Sequence, residues 1–260
     1  MYNSIFSFHK KPSLNIVGAG PGDPELLTLK ALKALRAADI VLHDALVTKE
    51  ILDFIPQGTP VISVGKRAGM HSRTQEEINA LIVESAFLYG HVVRLKGGDP
   101  YVFGRATEEL ECASRYGIPT QVIPGISSAL AVPAALNIPL TSRGVSESFW
   151  VVTGTTMTGD LSGDVALAAQ STATVIILMG LKKISDIMDI FQSHGKADLP
   201  VAVIQNGTLS SQKHVVGTVS SITDLVTEED LGSPGIIIAG DVVKFADVGK
   251  AMLTTTAKID

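Results

Sequence analysis

Of the 260 residues only one, Cys112, is a cysteine. That excludes a disulfide framework and any zinc site built on thiolates. Cys112 itself, inside an otherwise ordinary helical pattern, reads as a core thiol. Charge is sparse as well: Asp, Glu, Lys and Arg make up 18% of the chain, with 26 acidic against 21 basic residues and a net charge of −5. A chain this poor in charge and 45% hydrophobic buries a core rather than staying disordered. Its acidic balance argues against a nucleic-acid partner held by bulk positive charge. Long apolar runs are also missing, since stretches such as residues 173–181 fall well short of the about 20 residues that span a bilayer. Residues 1–11 carry no apolar leader core, so the expectation is a cytoplasmic protein with no membrane partner. His9, His91, His194 and His214 have no ligand-like spacing, and no metal is expected.

What the chain does have is alternation. Short β-branched runs are interleaved with helical patterns, as in an α/β protein. A strand over 15–17 runs straight into Gly18-Ala-Gly-Pro-Gly-Asp23. Asp23 and Pro24 then suit a helix start, with Leu26, Leu29, Leu32 and Leu35 as its apolar face. Further strands are expected over 39–42, 61–64, 92–95 and 120–123. Thr74 and Glu77 form a capping-box pair that opens a helix to about Leu88, stopped by Gly90. A second helix ends near Tyr116 and Gly117. Texture changes near 137–144. Beyond it, strands at 149–153, 175–179, 201–204, 214–219 and 236–239 outnumber helices, and only 184–194, closed by Gly195, is strongly helical. The expected organisation is therefore two lobes, an N-terminal α/β lobe over 12–138 with a mainly parallel sheet and a C-terminal lobe over 139–246 with a mixed, strand-richer sheet. Residues 1–11 and 247–260 are tails.

Chemistry-bearing residues recur where strands end, the edge at which parallel α/β sheets bind ligands. The loop after the first strand invites a dinucleotide reading, but the third glycine of that fingerprint is replaced by Asp23, which would set negative charge where a pyrophosphate sits. No Gly-Lys-Ser/Thr follows either glycine turn, so a phosphate loop is absent too. A second open turn, Gly97-Gly98-Asp99-Pro100, removes side chains beside a strand end and offers a carboxylate acceptor. Two such turns suit an adenosyl ligand that carries a positive sulfur. A purely structural tight turn is the competing reading of the first.

Taken in order, several strings resemble the tetrapyrrole methylases, the class III S-adenosylmethionine-dependent methyltransferases, and among them those that act on uroporphyrinogen III. They are Val17 through Lys30, Val64-Gly-Lys-Arg-Ala-Gly69, Gln75-Glu-Glu-Ile-Asn79, Arg94-Leu-Lys-Gly-Gly-Asp-Pro-Tyr-Val-Phe-Gly-Arg105, Val122-Ile-Pro-Gly-Ile-Ser-Ser128, Ile138-Pro-Leu-Thr141, Val152-Thr-Gly154, Leu178-Met-Gly180 and Gln205-Asn-Gly-Thr208. The likeness spans about residues 14–245. It implies a homodimer of two-lobed α/β subunits. The implied reaction is two methyl transfers from S-adenosylmethionine to carbons 2 and 7 of uroporphyrinogen III, giving precorrin-2 for sirohaem, cobalamin or haem d-one synthesis and leaving S-adenosylhomocysteine.

Carried over by position, the resemblance implies a donor pocket from Pro21, Gly97, Gly98, Asp99, Val102, Ser127, Ser128, Met179 and Gly207. It implies Asp44 as proton acceptor and Lys66 as proton donor. His43 stands where a tyrosine is usual, Ser142 where a histidine often precedes the arginine, and Ser128 where alanine is common. The methylated pyrrole is a cation that must lose a proton, which a carboxylate such as Asp44 can accept. By position alone Asp44 also reads as a turn cap, and Met179 as core. The substrate has eight carboxylates, and basic residues gather near the strand ends: Lys66, Arg67, His71, Arg73, Arg94, Lys96, Arg105 and Arg143. Arginine suits carboxylate recognition, and Arg67, Arg105 and Arg143 are the candidate substrate contacts. Still open are a methylase of the same fold acting on a later corrin, on rRNA or on a translation factor, and a non-catalytic adenosyl-binding module.

Overall fold

The computed structural model describes residues 10–65 and 73–247. They pack as two compact units, one ending at Ser127 and the other beginning at Ser128.

The first unit is a five-stranded sheet in the order β3-β2-β4-β1-β5, formed by β1 (Ser13–Gly18), β2 (Ile40–His43), β3 (Val61–Ser63), β4 (His91–Lys96) and β5 (Thr120–Ile123). Every neighbouring pair is parallel, so each connection must cross over through a helix. Helices α1 (Leu29–Arg36) and α2 (Lys49–Leu52) lead the chain one way across the sheet. Helices α3 (Gln75–Tyr89) and α4 (Ala106–Arg115) lead it back. Right-handed crossovers then put the two pairs on opposite faces, and the core divides accordingly. Leu14, Ile16, Leu42 and Val92 pack on α3 and α4, whereas Val17, Val41, Val93 and Leu95 pack on α1 and α2. Strand periodicity assigns these sets, because alternate residues face opposite sides.

The expected capping box at Thr74 is present, with Glu77 N–H donating to Thr74 Oγ1 at 3.2 Å and Thr74 N–H to Glu77 Oε2 at 2.7 Å. The helix expected after Asp23 is divided instead. Asp23 caps a 3-10 turn, Pro24–Leu26, and Thr28 caps α1 separately through Ala31 N–H. The break rotates the helix so that Ala31, Ala34 and Leu35 are buried, while Leu29, expected on the apolar face, is 76% exposed.

The second unit is a mixed five-stranded sheet, order β6-β7-β10-β8-β9, built from β6 (Phe149–Thr153), β7 (Thr174–Leu178), β8 (Pro200–Gln205), β9 (Lys213–Thr218) and β10 (Gly235–Ala239). β6 and β7 are parallel, and the pairs β7–β10, β10–β8 and β8–β9 are antiparallel. Strands β6, β7 and β8 therefore end on the same edge. Helices α6 (Asp164–Gln170), α7 (Ile184–Ser193) and α8 (Ile222–Glu228) cover one face over Val175, Ile177, Val203 and Ile237. On the other face α5 (Ser128–Ala135) contributes Ala129 and Val132, which pack with Ile138, Ile176, Ile204 and Ile238. The division was expected after residue 138, and this packing places residues 128–138 with the second unit. The tails expected over 1–11 and 247–260 lie mostly outside the described residues.

Candidate functional site

All five strands of the first sheet end on one edge. β1 and β4 are neighbours there, and their chains depart in opposite directions, β1 toward β2 and β4 toward β5. Such a point opens a crevice outside the strand ends, and the two glycine turns occupy it. Gly20 and Gly98 pair across it, with Gly98 N–H donating to Gly20 O at 2.7 Å and Gly20 N–H to Gly98 O at 3.2 Å. This pairing sets Pro21 beside the Gly97-Gly98-Asp99 turn. Not every glycine here serves a ligand: a Cβ on Gly125 would lie 2.3 Å from Gly98 O, and one on Gly18 would lie 2.7 Å from that same oxygen. Gly18 and Gly125 let backbone pack on backbone, so the structural reading of the first turn holds at Gly18.

Asp99 shapes the turn. Its Oδ1 accepts from Tyr101 N–H at 2.8 Å and its Oδ2 from Gly125 N–H at 3.1 Å, tying β4's loop to the loop after β5. Val102 follows, exposed in company with Tyr101 and Phe103. Ser127 is buried at the end of this unit.

Asp44 directly follows β2, its N–H bonded to Leu95 O at 3.2 Å. Its Oδ1 is ion-paired with Arg94 Nη2. His43 is buried, and its Nδ1–H donates to the Asp44 carbonyl at 2.8 Å. Arg94 and Lys96, two of the basic residues that gather near the strand ends, are turned inward and paired. Strand alternation turns both toward α4, where Arg94 Nε and Lys96 Nζ each donate to Glu109 Oε1 at 3.0 Å. The side chains of Arg94, Lys96 and Glu109 are 2%, 5% and 0% exposed, whereas Asp44 is 30% exposed. Burial pushes the Lys96 ammonium below the ordinary lysine range and the Arg94 charge adds to this, against the opposing pull of Glu109 and Asp44. Glu109 was not singled out from the sequence, because it meets its partners only when α4 lies across β4.

The remaining cations divide. Arg105 holds a left-handed backbone (φ 56°) at the start of α4, and its fork grips Glu108, with Nε–Oε1 at 2.8 Å and Nη2–Oε2 at 2.7 Å. The pair raises the Arg105 pKa and lowers that of Glu108. Lys66, Arg67 and His71 lie outside the described residues.

In the second unit Arg143 is exposed on a tight loop closed by Ser142 N–H to Ser146 O at 2.9 Å. Met179 follows β7 with φ 56° and 53% of its surface exposed, so it is not a core residue. A large side chain held in the left-handed region at a strand end marks stored strain. Thr155 Oγ1 donates to its carbonyl at 2.7 Å. On the same sheet edge Gly207 follows β8 and lies against α5, whose first residue is Ser128; a Cβ on Gly207 would come 2.3 Å from Val132 Cγ1. In the first unit Pro21, Gly97, Gly98, Asp99 and Val102 lie at the strand-end edge and Ser127 is buried after the β5 loop; in the second, Met179 and Gly207 follow β7 and β8, and Ser128 opens α5, against which Gly207 packs. None of these is a lysine or arginine. In the first unit the open glycine turn beside Val102 offers bare backbone and no cation, which suits an uncharged nucleoside better than a phosphate.

Among the described residues no three His, Cys, Asp or Glu side chains are grouped to hold a metal, and no helix is long and apolar enough to cross a membrane. A family model for the Tetrapyrrole (Corrin/Porphyrin) Methylases matches residues 13–223. The chain is 44% identical over 234 residues to the uroporphyrinogen-III C-methyltransferase of Methanocaldococcus jannaschii, covering 89% of this chain and 97% of that one. It is 45% identical over 236 residues to the S-adenosyl-L-methionine-dependent uroporphyrinogen III methyltransferase of Methanosarcina barkeri, covering 90% and 92%. The crystal structure of uroporphyrin-III C-methyl transferase from Thermus thermophilus in complex with S-adenosylhomocysteine superimposes with a TM-score of 0.76 at 35% identity, covering 89% of this chain and 99% of that one.

Proposed function

The chain belongs to the tetrapyrrole (corrin/porphyrin) methylases, and we propose that within that family it transfers two methyl groups from S-adenosylmethionine to carbons 2 and 7 of uroporphyrinogen III, giving precorrin-2. The observation that carries this reading is the partly exposed Asp44 carboxylate, fixed by a buried arginine at the same sheet edge as the two glycine turns. Likeness over nearly the full length of relatives named for this reaction supports it.

S-adenosylmethionine supplies a methyl on a sulfonium sulfur, and the sulfur leaves as a neutral thioether with the electron pair of the broken bond. The chain's residues orient and neutralise. The glycine turn at 97–98 brings bare backbone close to the donor, and Asp99 keeps that turn in shape. Val102 and Met179 give apolar contact, with Pro21, Ser127, Ser128 and Gly207 completing the donor's surroundings. Positioning of this kind supplies up to about 7–11 kcal/mol of the barrier reduction. The pyrrole carbon forms the new C–C bond with its ring electrons, which leaves a cationic ring. Asp44 stabilises that charge and accepts the proton the ring sheds; where the ring double bonds shift, Lys66 donates a proton to one ring position as a second leaves another, so that one proton is lost for each methyl gained.

Substrate carboxylates meet Arg143, which is exposed, together with Arg67 and Arg105. Arg105 engages by exchanging Glu108 for a substrate carboxylate. The protein works as a cytoplasmic homodimer, for which a single cysteine suits a reducing compartment.

The test is incubation of the protein with uroporphyrinogen III and S-adenosylmethionine carrying a deuterated methyl group, followed by mass spectrometry of the product. Two deuterated methyl groups per tetrapyrrole are expected. A product with none, or methylation only of a later corrin, would overturn the proposal.

A further inference from the structure

We propose that Glu109 is a positioning residue for the reaction, holding the Asp44 carboxylate in place through Arg94. This rests on the reading of Asp44 as the group that serves the acceptor ring.

Arg94 spends a different nitrogen on each of three neighbours. Nη2 meets Asp44, Nη1 donates to Leu95 O at 3.1 Å, and Nε donates to Glu109 Oε1 at 3.0 Å. Three contacts in different directions fix the plane of the guanidinium, and with it the Asp44 oxygen it grips. Glu109 is the far anchor. It sits in the first turn of α4, fully buried, and Lys96 grips the same Oε1 from two residues further along β4. Its other oxygen, Oε2, is buried without a hydrogen bond among the described residues, so the carboxylate is there for Arg94 and Lys96 and for nothing else in view.

A cluster of this kind is a poor way to stabilise a core. Desolvating buried charges costs several kcal/mol per ion, and well-packed apolar side chains of the same volume often do as well or better. What the cluster does achieve is orientation. Of its four charged groups only Asp44 reaches solvent; the other three are buried behind it. The chain thus carries a rigid charged strut from the interior of the α4 face to one carboxylate at the sheet edge.

The experiment is a double-mutant cycle on the full chain, with turnover of uroporphyrinogen III, the KM for it, and the affinity for S-adenosylhomocysteine by calorimetry measured for Asp44→Asn, Glu109→Gln and the double variant. Expected for Glu109→Gln is a fall in kcat of about 10²-fold, the cost of a small misplacement of a reacting group. KM and S-adenosylhomocysteine affinity should stay within about twofold, since neither depends on how Asp44 is aimed. The double variant should be no slower than Asp44→Asn alone, because Glu109 has nothing left to position. Losses that multiply in the double variant, or an unchanged kcat for Glu109→Gln, would overturn the positioning role while leaving Asp44 in its own. Full turnover in Asp44→Asn would instead overturn the reading of Asp44 and this inference with it. If Glu109→Gln does not fold, Arg94→Lys, which keeps the charge and loses the fork, takes its place in the cycle with the same two outcomes.

Discussion

A Cβ placed on Gly18 would stand 2.4 Å from the backbone nitrogen of Gly125. Neither partner can yield, since Gly18 is paired in β1 and Gly125 N–H is held by Asp99. Gly18→Ala should therefore cost the upper end of the about 1–3 kcal/mol of an overpacked core, or more. Urea unfolding measures it. A change within the about 0.5 kcal/mol of a neutral surface substitution would contradict the close approach.

Gly207 offers a version that can be rescued. A methyl there would come within 2.3 Å of Val132 Cγ1, and a β-branched side chain on a helix has one strongly preferred rotamer and cannot swing away. Gly207→Ala should destabilise the second unit by about 1–3 kcal/mol. Adding Val132→Ala should recover part of that loss, although Val132→Ala alone is destabilising. Unfolding curves for the four proteins test this, and simple additivity would contradict it.

Met179 should trade stability against binding. Its left-handed backbone costs roughly 1–2 kcal/mol for a residue with a Cβ, which Met179→Gly relieves while removing a side chain already half in solvent. The variant should melt higher than the wild type, yet bind S-adenosylhomocysteine about tenfold more weakly through loss of an apolar contact worth about 1.5 kcal/mol. Unchanged affinity would remove Met179 from the donor site.

Lys96 gives the protein an alkaline signature. Burial holds its native pKa below that of the unfolded chain. Between the two values the unfolded chain binds more protons, so stability rises with pH through that interval. Lys96→Met lacks the contribution. Across about pH 7 to 10, the range below the ordinary lysine value of about 10.4, the wild type should gain stability relative to the variant. A difference independent of pH would contradict the depressed pKa.

Most strands were legible because they are β-branched runs that stop at or one residue before glycine, proline or a charged residue, and Thr74 with Glu77 announced α3 through a local hydrogen-bond exchange. Three helices of the second unit were not. The sequence of α5 is apolar all round and contains Pro133, and α6 and α8 are only seven residues long, too short for a periodic stripe. The glycine turns at the candidate site could be read directly, since their signal is local. The buried charge cluster could not. Arg94 and Asp44 are 50 residues apart and Arg94 and Glu109 are 15 apart, so only the strand order and the α4 crossover bring them together. Read one residue at a time, Arg94 and Lys96 look like two more surface cations. Leu29 misled for a related reason: its spacing fits a continuous helix, and the break at Leu27 and Thr28 turns it outward.

The most direct measurement is a paired one on Asp44→Asn, comparing its affinity for S-adenosylhomocysteine with its rate of methyl transfer to uroporphyrinogen III. Affinity within about twofold of the wild type is expected, together with a rate lower by about 10²–10⁴-fold, the usual contribution of a positioned acid or base. A parallel loss of affinity and rate, or a rate left intact, would contradict the role given to this carboxylate.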